Sequence, residues 1–247
     1  MFAKYKNRGA GYHWDLVGPS PIKHNAFVSA RFRSLENLLR NFDVRNKRVL
    51  DVGCGDGVLV HKLAKLGVEK SVGIDPSEEA IDFAKKMTQG GSLTEFYTGT
   101  AYALPFDNKC FDYITSSEVI EHLQDPKQML NEMKRVWTGR GAIIITTPIR
   151  YTQQPSDPEH VQEFFTEDFI SLMLECFGNA TIIKTHPLFW NEFQQIRLLG
   201  KPFGKLLLNL LDILLHVNPF LSSKGWRFYA IQTAIIENPE DHDSPSV

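Results

Sequence analysis

The stretch VLDVGCGDG at residues 49–57 decides the fold class of this 247-residue chain. An apolar run stops there at a G-x-G-x-G turn, and a helical pattern of apolar residues follows over 58–66. This order predicts a buried strand, a tight glycine loop and a helix. Gly53 and Gly55 allow the backbone to take positive φ and let a ligand approach the main chain closely. The stretch therefore predicts a ligand-binding loop at the end of a strand.

The next predicted strand, SVGID at residues 71–75, ends in an acid. Asp75 follows the loop by about 20 residues, where a βαβ nucleotide-binding fold places a carboxylate for a ribose. A carboxylate has two oxygens that match a vicinal diol, so we expect Asp75 to accept both ribose hydroxyls. The loop and the acid together predict a bound adenosine-containing cofactor, and hence an enzyme.

Two features of the loop narrow the class of cofactor. The dinucleotide fingerprint G-x-G-x-x-G has its third glycine where this chain has Val58, and the phosphate-loop pattern is absent. Asp51 and Asp56 bring negative charge to the loop, which suits a cationic ligand better than a pyrophosphate. A sulfonium with an amino-acid tail is such a ligand, and a dehydrogenase is disfavoured. Asp51 is expected either to orient the loop or to face the amino group of the ligand.

Four motifs in this order resemble those of the class I S-adenosylmethionine-dependent methyltransferases. They are VLDVGCGDG, VGIDPSEEAIDFAKK at 72–86, GTAYALPF at 99–106 and FDYITSSEVIEH at 111–122. The resemblance covers residues 45–185. Within the family, the segment EVIEH, the N-terminal HWDL at 13–16 and Arg31 are similar to the ubiquinone-biosynthesis O-methyltransferase group.

The resemblance implies S-adenosylmethionine as the cofactor and assigns its binding residues. Thr100 takes the position where many relatives have an acid that accepts from the adenine amino group, and a hydroxyl accepts that bond more weakly. Arg31 matches an arginine that lies near the methionine carboxylate in the ubiquinone-type relatives. An equal alternative is that Arg31 is a solvated side chain on the face of a helix. The residues expected to contact the cofactor, some only through main chain, are Arg31, Asp51, Gly53, Gly55, Asp75, Thr100, Ala101 and Ser117.

Alternating strand and helix patterns predict an α/β fold with a mostly parallel sheet and helices on both faces. Strands are expected near 47–53, 71–75, 94–99, 111–116, 141–147, 180–186 and 226–237, and helices near 26–41, 57–67, 77–89, 126–137 and 166–177. The resemblance implies a Rossmann-like sheet of seven strands in which the last strand is antiparallel. The apolar run at 227–236 is the candidate for that strand.

We expect a single domain over residues 1–240 and a polar tail at 241–247. Residues 1–45 form an N-terminal cover, whose first part (1–24) is rich in Gly, Pro and aromatics and is predicted to be ordered but not helical. Residues 189–224 form a helical insertion between the last two strands. Its leucine-rich part, 206–215, has a polar stripe of Lys205, Asn209, Asp212 and His216. Residues 201–216 are expected to cover the sheet or pocket, to form a dimer contact, or to lie on a membrane surface.

A hydroxyl acceptor must lose its proton when it is methylated, and three residues are the catalytic candidates. Glu121 and His122 end the fourth motif, and His160 follows the fifth strand at the same edge of the sheet. With Glu118, these residues are also candidate ligands for a divalent metal. That pattern is similar to the one in small-RNA 3′-terminal 2′-O-methyltransferases. A metal is not favoured, because E-x-x-E-H recurs in metal-free methyltransferases.

Composition limits the possible partners and compartment. The net charge of −2 provides no basic field, so a nucleic-acid partner is not expected. The three cysteines show no metal-ligand spacing and fit a reducing cytosol. We found neither a signal-peptide pattern nor an apolar run near the ~20 residues that cross a bilayer. A cytoplasmic location is predicted, with association to the cytoplasmic side of a membrane as an alternative.

The sequence therefore predicts O-methylation of a small-molecule, glycan or lipid-linked acceptor. Metal-dependent RNA 2′-O-methylation is one alternative. A non-catalytic subunit that keeps the fold and serves as an interaction module is another. The intact Gly53, Gly55 and Asp75 disfavour the last hypothesis, because a scaffold has no need of them.

Overall fold

The computed structural model describes residues 8–88, 91, 93–155 and 157–238. A seven-stranded sheet in the order β3-β2-β1-β4-β5-β7-β6 forms its centre. Every predicted strand is present, with ends shifted by at most three residues. The strands are β1 (Arg48–Val52), β2 (Lys70–Asp75), β3 (Thr94–Thr98), β4 (Tyr113–Ser117), β5 (Ala142–Pro148), β6 (Thr181–Pro187) and β7 (Tyr229–Glu237).

Helices connect these strands and pack on the sheet. In chain order they are α1 (Tyr12–Val17), α2 (Ala26–Arg40), α3 (Val58–Ala64), α4 (Glu78–Met87), α5 (Pro126–Val136), α6 (Thr166–Phe177), α7 (Leu188–Gln194) and α8 (Phe203–Leu215). Two hydrophobic clusters centred on the sheet, one including Leu50 and Ile114 and the other including Val49 and Ile144, form the core. The β1 strand is buried along almost its whole length, as expected for a parallel strand covered on both faces.

The topology creates a binding edge and confirms the antiparallel last strand. The β1 strand pairs in parallel with β2 on one side and β4 on the other, so the chain changes direction across the sheet at β1. In open α/β sheets, ligands bind at this point, outside the carboxyl ends of the strands. The β7 strand runs antiparallel to both β5 and β6 and lies between them.

The prediction that residues 1–24 contain no helix is wrong, because Tyr12–Val17 forms the helix α1. Six residues are too few for a stable isolated helix. Tertiary hydrogen bonds supply the missing stability: the backbone N–H of His13 donates to Asp56 Oδ2 over 2.8 Å, and Trp14 Nε1 donates to the Asp56 carbonyl over 2.7 Å. Amino-acid composition cannot predict such contacts, because they join residues more than 40 positions apart in the sequence.

Residues 189–224 lie between β6 and β7, as predicted, and contain most of α7, all of α8 and a short 3₁₀ turn at Pro219–Leu221. They pack on the N-terminal part of α2, where Ala26 and Ala30 meet Leu208 and Phe220. None of the helices in the described ranges is both long and apolar enough to cross a bilayer. The predicted polar tail, 241–247, lies outside the described residues.

Candidate functional site

The glycine loop after β1 is held against the end of β2. The backbone N–H groups of Gly53 and Cys54 both donate to the Ile74 carbonyl, over 2.8 and 3.0 Å. Gly53 has a φ of +76°, and a Cβ added there would lie 2.3 Å from a methyl of Val119. Only glycine meets both conditions, so the turn brings bare main chain to the binding edge.

Asp75 lies at the carboxyl end of β2 and bonds to the same loop. Its Oδ2 accepts from the Gly55 N–H and its Oδ1 from the Ser77 N–H, both over 2.9 Å. The side chain is therefore fixed in one orientation at the edge of the sheet. Its position at the carboxyl end of β2, beside the glycine loop, fits the ribose-binding role predicted for Asp75.

Asp51 is a second carboxyl group under the loop. It is 3% exposed, and its Oδ1 accepts from the Thr115 hydroxyl over 2.7 Å. Burial, together with the negative charge of Asp75, raises the pKa of Asp51 to about 7, against the opposing effect of the Thr115 hydrogen bond. Asp56 has a different role, because its carboxylate accepts from both the backbone N–H and Nδ1 of His13. Asp56 is therefore engaged with the N-terminal helix α1, and Asp51 and Asp75 are the carboxyl groups that remain under the loop.

Arg31 extends from α2 toward the same edge. Its side chain is only 11% exposed, so the alternative of a solvated arginine is wrong. Nη1 lies 3.8 Å from Glu118 Oε2, and the guanidinium packs on the Phe32 ring. Among the described residues, no hydrogen-bond partner exists for its buried Nε. A buried guanidinium N–H is costly unless it is satisfied, and the carboxylate of an amino-acid ligand would satisfy it. The site therefore fits the methionine portion of S-adenosylmethionine.

The remaining predicted cofactor residues follow β3 and end β4. Thr100 is exposed, and its Oγ1 accepts from the Tyr102 N–H over 3.2 Å. Ala101 is half-buried and packs against the main core. The Ser117 Oγ accepts from the Thr146 hydroxyl over 3.1 Å. Their contacts with adenine stay predictions.

A cavity of about 530 Å³ lies next to Arg31, near the edge of the sheet where the cofactor is predicted to bind. Arg31 and Glu118 line it where it meets the predicted methionine position, and Glu121, His122 and His160 line another part. Its remaining lining combines aromatic and aliphatic side chains, among them Tyr12, Phe27, Ile149, Tyr151, Leu188 and Ile231, with polar ones such as Arg8, Asp157, Glu163 and Asn191. The cavity thus combines an apolar wall with a group of titratable side chains.

Glu121 is fully buried in the 3₁₀ turn Ile120–His122. Its Oε2 accepts from the Thr147 hydroxyl over 3.0 Å, whereas its buried Oε1 has no hydrogen-bond partner in the described part of the chain. Burial, followed by the charge of Glu118, raises the pKa of Glu121 well above its ordinary value. The Glu121 carbonyl accepts from two backbone N–H groups, those of Val161 and Gln162. These bonds hold the His160 loop against the turn.

His122 and His160 meet edge to face, with ring centroids 4.9 Å apart. The Nδ1 of His122 lies 3.1 Å from the Glu159 carbonyl, and the Nδ1 of His160 lies 2.6 Å from Glu163 Oε1. Both partners are acceptors, which assigns the proton to Nδ1 and the lone pair to Nε2 in each neutral ring. Sequence reasoning assigned no role to Glu163, although its spacing of three residues from His160 is a usable signal.

Three of the four predicted metal ligands come together. Glu121, His122 and His160 each offer one ligand atom, and these atoms lie within 4.8 Å of one another. Glu118 is outside this group and faces Arg31 instead. The Nδ1 bonds of both histidines are typical of metal-binding imidazoles, whose second nitrogen donates to a carbonyl or carboxylate. The donor set therefore fits a divalent transition metal as well as a metal-free base.

Sequence comparison assigns most of the chain to a known family. The profile of the family described as "Methyltransferase domain" matches residues 43–197. A ubiquinone biosynthesis O-methyltransferase of Pelagibacter ubique (strain HTCC1062) is 32% identical over 142 residues, which cover 54% of this chain and 58% of that protein. An ajmaline N-methyltransferase of Rauvolfia serpentina is 33% identical over 114 residues, or 45% of this chain and 39% of that protein. The chain thus spans about half the length of the curated relatives it matches.

Solved structures share the fold. A protein of Thermotoga maritima, described as an S-adenosylmethionine-dependent methyltransferase and possible histamine N-methyltransferase, superposes with a TM-score of 0.59. The alignment covers 95% of each chain at 17% identity. At that identity the likeness concerns the fold alone, and it agrees with the predicted Rossmann-like seven-stranded sheet.

Proposed function

The chain belongs to the class I S-adenosylmethionine-dependent methyltransferases, and from this premise we propose that it methylates a hydroxyl oxygen of an acceptor bound in the 530 Å³ cavity. The observation that carries the proposal is the position of the two histidines. His122 and His160 line the same cavity as Arg31, which adjoins the predicted methionine end of the cofactor. A proton acceptor and a methyl donor would thus meet in one space.

The lining of the cavity supports a particular class of acceptor. Apolar and aromatic groups such as Phe27, Tyr151 and Ile231 favour a hydroxylated apolar molecule, either small or lipid-linked, over a glycan. The similarity to ubiquinone biosynthesis O-methyltransferases supports the same class. An RNA acceptor is less well supported, because a polyanion is a poor match for a chain with a net charge of −2.

The residues have separate tasks in the proposed reaction. When bound, S-adenosylmethionine supplies an activated methyl group. Asp75 orients the ribose and Arg31 the amino-acid carboxylate, so the methyl group is aligned with the acceptor oxygen. The acceptor oxygen would take that methyl group, with the thioether as the leaving group, and His160 Nε2 would accept the hydroxyl proton. Glu163 holds the ring of His160 and stabilises its protonated form, whereas the neutral Glu159 carbonyl does less for His122.

A metal-activated form of the same reaction is the second candidate. It is supported by the three converging ligand atoms and by the buried Glu121 Oε1, which lacks a hydrogen-bond partner among the described residues. Glu121, His122 and His160 would hold the ion, which would lower the pKa of an acceptor hydroxyl.

Calorimetric titration of S-adenosylhomocysteine, with Mn²⁺ and with chelator, tests the cofactor assignment. We expect binding in both conditions, weakened at least about tenfold in Asp75→Asn because charge-assisted bonds to the diol are lost. Asp82→Asn, a change of an exposed acid on α4, is the matched control and should bind as the unmodified chain does. Methyl transfer from labelled S-adenosylmethionine to a panel of catechols and lipid-linked phenols then tests the acceptor class.

Each outcome separates the alternatives. Failure of S-adenosylhomocysteine to bind in either condition would refute the proposed activity and favour a non-catalytic subunit. Heat from Mn²⁺ that Glu121→Gln abolishes, together with transfer that requires the metal, would favour the metal-activated form. Transfer to RNA but to none of the small or lipid-linked hydroxyls would overturn the acceptor class.

A further inference from the structure

We propose that one face of α8, with the turns beside it, is a docking surface for an anionic lipid bilayer. The α8 face is defined by Phe203, Leu206, Leu207, Leu210, Ile213 and Leu214, which at about 100° per residue share one side of the helix. The inference goes beyond the methylation proposed above. In α8 the polar side is turned toward the protein and the apolar side toward the surroundings, the reverse of an ordinary amphipathic helix on a protein in water.

Two polar side chains of α8, Asn209 and Asp212, point into the protein. Asn209 is 1% exposed; its Nδ2 donates to the carbonyls of Pro21 and His24, over 2.9 and 2.6 Å, and its Oδ1 accepts from the Ala26 N–H. Asp212 is 4% exposed and bonds to His24 Nε2 over 2.8 Å. The carboxylate of Asp212 also forms an ion pair with the Arg33 guanidinium. The polar stripe therefore bonds the helix to the N-terminal segment, and Leu208 and Leu211 pack beside it in the cluster with Ala26 and Ala30.

The apolar side chains opposite that stripe face outward. Leu214 is 67% exposed, Leu206 43% and Phe203 42%. Helices that cover a protein core normally bury such residues and expose the polar ones. The polar groups here already have buried partners, so the helix cannot turn over without leaving Asn209 and Asp212 unsatisfied. Its outer face is thus fixed as apolar, which suits an apolar environment.

The segments that flank α8 along the chain also expose apolar side chains. The turn before the helix exposes Leu198 and Leu199, and Leu199 is 94% exposed. Beyond the helix, Phe189 stacks on Trp226 with ring centroids 5.4 Å apart, and both are exposed. Several large apolar side chains exposed in one segment of the chain are typical of a contact with a partner or a membrane.

Charge complementarity identifies the occupant. Residues 189–228 contain five Lys or Arg and two Asp or Glu, in a chain with a net charge of −2. One of the two acids, Asp212, is buried against Arg33, whereas Arg197, Lys201, Lys224 and Arg227 are exposed. Basic side chains beside exposed leucines and aromatics are the pattern of an element that lies in the interface of an anionic membrane. A symmetric dimer through this face would bring like charges together, which disfavours a second copy as the occupant.

The surface adjoins the cavity. Leu188 lines the cavity, and the next residue, Phe189, belongs to the exposed aromatic group. Tyr151 also lines the cavity and packs edge to face on the exposed Phe228, with centroids 5.8 Å apart. A bilayer on the α8 face would therefore lie beside the cavity, and an apolar acceptor dissolved in it would have a short route inward. This last step rests on the proposed function, whereas bilayer binding does not.

Cosedimentation of the full chain with vesicles tests the proposal. One set of vesicles contains phosphatidylcholine and phosphatidylglycerol in equal amounts, and the other contains phosphatidylcholine alone. We expect at least about tenfold tighter binding to the anionic vesicles, and a loss of about tenfold or more in the double variant Leu206→Glu, Leu214→Glu. Leu174→Glu is the matched control, because Leu174 is a 45% exposed leucine on α6, outside this surface.

Thermal unfolding and S-adenosylhomocysteine binding are measured on the same samples. A double variant that keeps both but loses vesicle binding supports the proposal, whatever acceptor the protein methylates. If the unmodified chain does not bind anionic vesicles, or if the double variant binds them as tightly, the proposal is overturned. It is also overturned if the unmodified chain is a dimer that the double variant dissociates, since the face would then belong to a second copy. Lys201→Glu separately tests the charge component and should weaken binding to anionic vesicles only.

Discussion

The buried carboxyl group of Asp51 makes the stability of the protein depend on pH in a direction opposite to that of most carboxyl groups. Burial and the charge of Asp75 raise the pKa of Asp51 from 3.8 to about 7. A group whose pKa is raised in the folded state contributes stability below its unfolded pKa and loses that contribution as the pH rises through its folded pKa. Ionisation of Asp51 should therefore destabilise the folded chain between about pH 4 and pH 7.

The magnitude follows from the shift. About three pKa units correspond to about 4 kcal/mol, of which roughly 2.5 kcal/mol falls between pH 5 and pH 8. Asp51→Asn removes this dependence while retaining a carbonyl oxygen that can accept from the Thr115 hydroxyl. Urea unfolding of both proteins, followed by tryptophan fluorescence at pH 5 and pH 8, measures the difference. We expect the unmodified chain to lose about 2.5 kcal/mol relative to Asp51→Asn over that interval. Parallel pH profiles for the two proteins would refute the reasoning.

The protonation of Asp51 also distinguishes the two roles that the sequence left open for this residue. If Asp51 faces the cationic amino group of the ligand, S-adenosylhomocysteine favours its carboxylate form and binding at pH 7 releases a proton. If Asp51 only orients the loop, no such release occurs. Calorimetry in buffers of different ionisation enthalpy measures this proton, and Asp51→Asn is the control in which it must be absent.

Two further predictions concern the cover and the base. Asp56→Ala removes the carboxylate that accepts both His13 hydrogen bonds, so α1 should become sensitive to proteolysis. The KM for the methyl acceptor should rise, while S-adenosylhomocysteine affinity should change less than about twofold. Unchanged proteolysis would contradict the role of Asp56. Glu163→Gln should lower kcat by about tenfold to a hundredfold with little effect on cofactor affinity, because the protonated ring of His160 loses its carboxylate. Glu163→Asp should restore part of that kcat, and an equal loss of kcat and cofactor affinity would indicate a purely structural glutamate.

The position of the loop that we propose binds the cofactor followed largely from the sequence. Gly53 and Asp75 lie in short contiguous motifs, and the conformations they need are local: a positive φ at a turn and an acid at the end of a strand. Both residues lie at the carboxyl edge of β1 and β2. The Gly53 N–H donates to the Ile74 carbonyl near the end of β2, and Asp75 accepts from the Gly55 N–H of the loop. The alternation of strands and helices likewise predicted the sheet, because each element carries its own periodicity.

The acceptor half was predicted only as a set of candidates. The sequence named Glu118, Glu121, His122 and His160 together, but the structure separates Glu118, which faces Arg31. It also buries Arg31. These outcomes depend on contacts between α2, the turn after β4 and the loop after β5. No local sequence pattern predicts which charged side chains pair across such distant segments.

The chain by itself determined the α/β class, the strand order along the sequence and the binding loop, since each follows from neighbouring residues and their backbone preferences. Only the tertiary structure decided which side of α8 faces the protein. The periodicity of a helix shows that two faces differ, but it does not show which of them finds partners. The carbonyls of Pro21 and His24 and the guanidinium of Arg33 bind Asn209 and Asp212 on the polar face. Leu206 and Leu214 on the opposite face therefore stay exposed.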